Sequence, residues 1–330
     1  MLWLARLMKT CIFILAMALV FVIAACVQNG GGRDTRTPVG DRVPSAEFIK
    51  AAIRHNEEAV STLKADWTVE YQYQEAFKQL HPEDWQKQYD AQLVLAQQRG
   101  RIVRDSTGRY RLEMTSEFTS GRLLESVCGY DGSAFKWYDV MPKEPAFGQR
   151  GRISAKTQQV PLLSPDRLAG YWIDWMRLSE YLEKSTIKEI RETTDSAGRR
   201  FVEVDTIHFA DANVMVRFRL DPEKGCCVTA IDTYMLNPPA RPFSTIETTE
   251  LREIRKGTWF PTEGVLKLFE WVEAQHKALE TLSQHLKVKS LQAGFTPKDD
   301  MFYIGFPKGT SVLNEMDGTS YRIGVTPERR

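Results

Sequence analysis

The sequence is short of the residues from which most chemistry is built. Five cysteines are spread over 330 residues and none forms a CxxC pair, so a zinc ribbon or thioredoxin-type site has no ligand set. Five histidines, His55, His81, His208, His276 and His285, lie far apart, and none has a metal-like i, i+4 partner. HExxH, GxSxG, Walker A and GxGxxG motifs are all missing, which removes the common signatures of zinc proteases, serine hydrolases, P-loop NTPases and dinucleotide enzymes. Net charge is also scarce. Lys and Arg number 44 against 43 Asp and Glu, so no global basic field points to nucleic acid. No repeat of solenoid or propeller period is present. Glu270 and Glu273 in FEWVE lack the second carboxylate pair that general acid–base work needs. His208 sits near Asp205 and Asp211 in VDTIHFAD, where a strand-end histidine is the commoner explanation than a metal or acid–base site. These absences favour a binding protein over an enzyme, with no cofactor, no metal and no nucleic acid partner.

What is present begins at the N-terminus. Residues 1–10, MLWLARLMKT, carry Arg6 and Lys9 and no acid. Residues 11–25, CIFILAMALVFVIAA, carry no charge, a run suited to a signal peptide and shorter than the ~20 residues of a bilayer span. The run ends Ile23-Ala24-Ala25-Cys26, which resembles the bacterial lipobox. That resemblance implies that the Cys26 thiol takes a diacylglycerol, that cleavage falls before it, and that the new amino terminus is acylated. Val27 stands where an aspartate tends to retain proteobacterial lipoproteins in the inner membrane, which favours the outer membrane. The alternatives are an uncut anchor, with Cys26 an incidental apolar residue, and a plain signal peptide. Residues 27–45, VQNGGGRDTRTPVGDRVPS, have the composition of a flexible linker. The expected organisation is a signal peptide at 1–25, a tether at 26–45 and a single domain at 46–330, lipid-anchored and facing the periplasm.

Apart from Cys11 and Cys26, the cysteines are Cys128, Cys226 and Cys227. The vicinal pair follows Gly225 at a turn. A strained vicinal disulfide, two structural thiols, or one thiol paired with Cys128 all fit.

Residues 44–66 read as an amphipathic helix capped by Ser45, with Phe48, Ile49, Ala52, Ile53, Ala59, Val60 and Leu63 on one face. Period-two segments follow: WTVEYQY, RYRLEM, NVMVRFRL, FYIGF and YRIGV. Such alternation marks strands with one buried and one wet face, as in antiparallel sheets. RDSTGR, YDGS, TDSAGR, DPEKG, RKGT, PKGT and MDGT separate them, each placing Gly where a hairpin needs positive φ. Residues 77–91 are a polar insertion, helical or loop. Residues 164–186 read as a helical insertion with Ser164 as cap and Pro165 in the first turn, bearing an aromatic stripe of Tyr171, Trp172, Trp175 and Tyr181. Residues 271–285, WVEAQHKALETLSQH, fit either a short helix or an irregular connection.

The run VRFRLDPEKGCCVTAIDTY, then ETTELREIRKGTWFPTEGVLKL, then FYIGFPKGTSVLNEMDGTSYRIG resembles the LolA/LolB-like outer-membrane lipoprotein-sorting superfamily. The shared features are a D-P-x-x-G hairpin, G-x-W-F-P entering a strand, and F-x-I-x-F-P-K-G-T near the end. They span residues 214–325 and report fold more than chemistry. The resemblance implies a mainly β (α+β) fold: a strongly curved, unclosed antiparallel half-barrel of about ten or eleven strands, with helices over its concave face. It also implies a hydrophobic cavity for acyl chains. The carriers' functional arginine maps onto no residue here. The insertions at 77–91 and 164–186 depart from the family pattern.

The candidate cavity residues are Trp67, Tyr71, Leu112, Met114, Phe135, Trp137, Trp172, Trp175, Val216 and Phe218, which equally suit an ordinary aromatic core. Arg217 and Arg219 give a basic strand face, suited to anionic headgroups or to solvent. The expected function is a membrane-anchored envelope lipoprotein that holds a lipid or acylated protein in this cavity, in lipoprotein localisation. The alternative is a non-catalytic structural or sensory envelope protein that recognises a protein partner with the same fold.

Overall fold

The computed structural model describes residues 43–144, 148–155, 163–170, 176–236 and 240–324. The signal run, Cys26 and most of the tether lie outside the described residues, as do Tyr171, Trp172 and Trp175. Within them, Ser45 caps the leading helix α1 (Ala46–Ala59), its hydroxyl accepting from Phe48 N at 3.2 Å. Ile49 and Ile53 are buried and Phe48 is exposed. The helix is shorter than its sequence pattern, because Leu63 already belongs to the first strand.

Among the described residues fifteen strands form one unclosed mixed sheet. The first meander is β1 (Leu63–Tyr73), β2 (Leu95–Arg104), β3 (Tyr110–Phe118), β4 (Leu123–Tyr130), β5 (Phe135–Val140) and β6 (Arg150–Ser154). The second is β7 (Thr186–Thr194), β8 (Arg200–Ile207), β9 (Val214–Asp221), β10 (Cys227–Met235), β11 (Arg241–Arg255), β12 (Thr258–Val272) and β13 (Lys277–Ala293). The meanders join where β13 pairs antiparallel with β1. The chain then returns to β6, where β14 (Ser311–Asn314) adds in parallel and β15 (Thr319–Arg322) forms one edge, with β7 at the other. The half-barrel class expected from sequence holds. The strand number is fifteen, and the β14–β6 pair makes the sheet mixed.

Aspartates set the hairpins. In DSTGR, Asp105 Oδ1 accepts from Thr107 N at 2.9 Å and Arg109 N at 3.0 Å. In DSAGR, Asp195 Oδ1 accepts from Ala197 N and Arg199 N, both at 2.9 Å. Each Asp holds its turn through hydrogen bonds local in sequence, and each following Arg reaches back to it.

Among the described residues four short helices accompany α1. They are α2 (Glu75–Leu80), α3 (Pro82–Asp90), α4 (Pro165–Leu168) and α5 (Leu178–Lys184). The polar insertion at 77–91 is thus the α2–α3 pair. The 164–186 segment is two short helices, and Thr186 already begins β7. The ambiguous 271–285 run is strand: β12 ends at Val272, Glu273–Gln275 form a 3-10 turn, His276 takes φ 48°, and β13 follows. FYIGF is no strand either. Asp299–Phe302 form a 3-10 turn and residues 303–310 carry no ladder. This strap crosses the sheet's outer face. Ile304 lies over Gly129 and Phe306 over Gly151, and Arg111 Nη1 donates to Tyr303 O at 2.7 Å.

The curvature follows from one short helix. Arg177, at the start of α5, donates to Ser106 O in the β2–β3 turn at 3.3 Å. The other end of α5 runs directly into β7. Eight strand spacings separate β2 from β7, about 38 Å in a flat sheet. Seven helical residues cover only about 10 Å. The sheet must therefore curl around α1, α4 and α5, and its inner face carries the core.

Candidate functional site

Cross-strand register defines the inner face. Trp67 faces Gly100 across β1–β2, Ala65 faces Ile102, and Leu112 faces both Ile102 on β2 and Cys128 on β4. The Trp67 ring covers Gly100 so closely that a Cβ there would lie 2.1 Å from Cζ2. Leu168 of α4 takes the same kind of seat over Gly264 of β12, 2.3 Å from a Cβ. Glycine at these two positions lets large side chains lie flat on the sheet. Tyr181 of α5, fully buried, meets the ring of Phe218 edge-on at 5.7 Å.

The helices are fastened by a buried polar network. Ser179 N donates to Glu57 Oε1 at 3.0 Å, and the Ser179 hydroxyl donates to the other oxygen. Arg104 of β2 meets Asp166 of α4 at 3.3 Å, both nearly inaccessible, and donates to Val60 O at 2.9 Å. Burial raises the Glu57 pKa, against the pull of the Ser179 hydrogen bonds and of Arg177 and Arg104. Beside this network, between α1, α4, β10 and β12, lies a small pocket of about 20 Å³, room for about one water.

The candidate cavity residues fall into three sets. Trp67, Leu112, Phe135, Val216 and Phe218 are core, each no more than 3% exposed. Tyr71, Met114 and Trp137 are half-buried and pack against that core from the inner face. Trp172 and Trp175 lie outside the described residues. The register brings the first-meander members together on one face, while Val216 and Phe218 sit across the curl on β9.

Sequence reading missed a polar belt on the same face. Gln284 of β13 faces Tyr71 of β1. Tyr71 Oη donates to Gln98 Oε1 at 3.3 Å, and Gln98 Nε2 donates to Ser116 Oγ at 3.0 Å. On β4 and β5, Ser126 Oγ donates to Asp139 Oδ1 at 2.5 Å. Burial pushes the Asp139 carboxyl up to about 6, despite Ser126, Trp137 and the facing Arg150. Burial also raises the Tyr71 phenol. The available signal was Gln98, Ser116 and Gln284 standing at inward positions of alternating strands.

α2 and α3 lie at the far end of this face, where Tyr73 contacts Phe77 and Trp85, each with ring centroids 5.6 Å away. His81 Nε2 and Glu270 Oε2 of β12 are 2.6 Å apart. Neither helix contains a fully buried residue.

The outer face is charged and largely self-paired. Arg217 and Arg219 do not present a free basic face. Arg217 Nε donates to Asp205 Oδ1 at 2.7 Å, Arg219 Nη2 to Glu203 Oε1 at 3.1 Å, and Arg191 reaches both acids. Burial would raise Glu203 and Asp205, but these arginines hold both below the usual carboxylate range. A groove of about 650 Å³ on the outer face of β1–β5 is lined by Arg101, Arg111, Glu113 and Tyr138, with Arg101 on Asp66 and Arg111 on Glu113. Cys128, Cys226 and Cys227 are buried thiols with no disulfide between them, and burial raises all three, to about 12, 11 and 12. His208 Nδ1 accepts from Ala210 N at 3.0 Å and its ring stacks on Phe209. Among the described residues no three His, Cys, Asp or Glu side chains are grouped as metal ligands, and no helix is long and apolar enough to cross a membrane.

No family model matches the sequence, and no curated protein matches it. Solved structures similar in shape include the following two. One is described as an outer membrane lipoprotein-sorting protein domain from Vibrio parahaemolyticus, with TM-score 0.44 and 8% identity, covering 77% of this chain and 94% of that one. The other is a DUF1329 family protein from Desulfovibrio piger, with TM-score 0.45 and 6% identity, covering 78% of this chain and 96% of that one. At these values neither likeness assigns a family or an activity to the chain.

Proposed function

We propose that this chain is an exported envelope lipoprotein, held to the membrane through Cys26, that binds a hydrophobic or lipidated ligand without transforming it. The observation that carries this reading is the inner face itself. An unclosed, curled sheet turns one apolar face toward a few short helices, and Tyr71, Met114 and Trp137 stay half-exposed at its margin. An apolar concave surface with a few polar groups is the usual make-up of a small-molecule site. The lipobox-like Ile23-Ala24-Ala25-Cys26 supports this reading, since an acylated Cys26 would hold the domain at a membrane, where acyl chains are at hand. Service in lipoprotein localisation, at the outer membrane, is the finer form of this reading.

A second reading has its own support. Trp67, Leu112, Phe135, Val216 and Phe218 are buried against one another and the helices. A filled interior suits a domain that meets a protein partner with its surface. Native mass spectrometry of the purified full chain separates the two. Co-purifying lipid, or uptake of a fluorescent fatty acid, supports binding, whereas an empty protein that takes up no probe favours partner recognition.

A further inference from the structure

The inner face has one feature that packing alone does not account for. Gln284 is 0% exposed, and neither its Nε2 nor its Oε1 has a hydrogen-bond partner among the described residues. Trp67 Nε1, four residues before Tyr71 on the facing strand, is likewise buried and has no hydrogen-bond partner among the described residues. Leaving such a group unsatisfied incurs its full desolvation penalty, and native proteins seldom do so without a ligand or a water to serve it. Gln284 is no isolated oddity. It heads the belt of Tyr71, Gln98 and Ser116 that crosses β1, β2 and β3, and Ser126 and Asp139 continue the belt on β4 and β5.

We propose that this belt is a head-group site: it takes an amphiphile whose head is uncharged and rich in hydrogen-bonding groups, such as a glycerol ester, in preference to one that ends in a carboxylate. The assignment rests on the ligand-binding reading above and narrows it. The chemistry follows from the composition of the belt. Two amides, a phenol and two hydroxyls offer both donors and acceptors and carry no charge. The one carboxyl of the belt, Asp139, supplies no positive charge, and Arg150, its facing cation, is exposed at the rim. A carboxylate head brought to Gln284 would be buried without a cation beside it. A diol or amide head meets the free Nε2 and Oε1 of Gln284 with one acceptor and one donor. The side chains flanking the belt are apolar or aromatic, Leu266 on β12 and Met114 on β3 among them, and suit the chain of such a molecule. The nearest cover is the α2–α3 pair, whose lack of any fully buried residue makes it the least firmly held wall.

The test is a competition. Delipidated full-length protein is incubated with equal amounts of monooleoylglycerol and oleate, which share one acyl chain, and the two adducts are counted by native mass spectrometry. The wild type is expected to carry the glycerol ester over oleate by about tenfold or more, the discrimination a buried unpaired polar group imposes. Gln284→Leu, near in volume, should bring the ratio toward one while the oleate adduct persists. Ser116→Ala, a milder change in the same belt, should lower the ratio in the same direction. Equal adducts in the wild type, or a ratio that Gln284→Leu leaves unchanged, overturn the head-group assignment alone and point to an ordered water at Gln284. Absence of both adducts overturns the ligand-binding reading and this assignment together.

Discussion

Replacing Gly100 with alanine tests the packing of the inner face at its tightest point. Alanine in place of glycine within a strand ordinarily gains about 0.5–1 kcal/mol, because less backbone freedom is lost on folding. Gly100 has no positive φ to forbid the change. Its added Cβ, however, would sit 2.1, 2.3 and 2.8 Å from Cζ2, Cε2 and Cη2 of Trp67. Ordinary carbon contacts are about 3.5–4.0 Å, so the ring must retreat by about 1 Å or more. Trp67 is 1% exposed, so the ring moves only by displacing its buried neighbours. Overpacking of this kind costs about 1–3 kcal/mol, which exceeds the entropic gain. Urea unfolding followed by circular dichroism should show a lower midpoint with an unchanged slope. In a Trp67→Leu background the clash is gone, so the same Gly100→Ala change should stabilise by about 0.5–1 kcal/mol. The double-mutant cycle then gives a coupling of about 2 kcal/mol. If Gly100→Ala were stabilising in the wild-type background, the seating of Trp67 on Gly100 would be refuted.

Other outcomes follow from the buried charges and the helix seats. Burial raises Asp139 to about 6 from 3.8, so its contribution to stability grows as pH falls from about 7 to about 4. Asp139→Asn should therefore be more stable than wild type at pH 8, by about 2–3 kcal/mol, and the difference should vanish below pH 4 in thermal melts. Asp205 has the opposite sign: its lowered pKa gives stability that is present above about pH 4 and lost as pH falls through its folded value. Asp205→Asn should cost about 1.5–3 kcal/mol at pH 7, with no difference left in strong acid. Leu168→Ala should destabilise by about 2–5 kcal/mol, because the side chain that fills the seat over Gly264 is fully buried. In cells fed a palmitate analogue, Cys26→Ser should abolish labelling, and a label that persists would remove the lipid anchor from the account.

Much of the sheet was legible because its strands have one dry and one wet face. NVMVRFRL reads correctly, since Val216, Phe218 and Leu220 are buried while Arg217 and Arg219 pair on the outer side. The same rule misread FYIGF. Phe302 and Ile304 are buried and Tyr303 is exposed, so the strap alternates as a strand does, but it lies on the outer face of another sheet region and joins no ladder. Alternation reports one-sided burial, not hydrogen-bonded pairing. The 271–285 run failed for the converse reason. The β12–β13 hairpin extends past the core, and residues 269–280 are exposed or half-exposed, so no period remains to read. The aspartate turns were legible as turns, whereas the arginine pairing across β7, β8 and β9 was not, because it depends on register between strands far apart in sequence. The inner belt escaped notice for a related reason. Gln98 and Gln284 look like surface residues in sequence, and only the pairing of β13 with β1 places Gln284 opposite Tyr71.

Ligand binding at the inner face is the claim on which the rest depends. Titrating a fluorescent fatty acid into the purified full chain, with Gln284→Leu and Trp137→Ala in parallel, tests it most directly. The account predicts saturable uptake at one site that Trp137→Ala weakens by about tenfold, the size of effect expected when a large aromatic contact is lost. Lack of saturable uptake by folded wild-type protein, or uptake indifferent to Trp137, would contradict it.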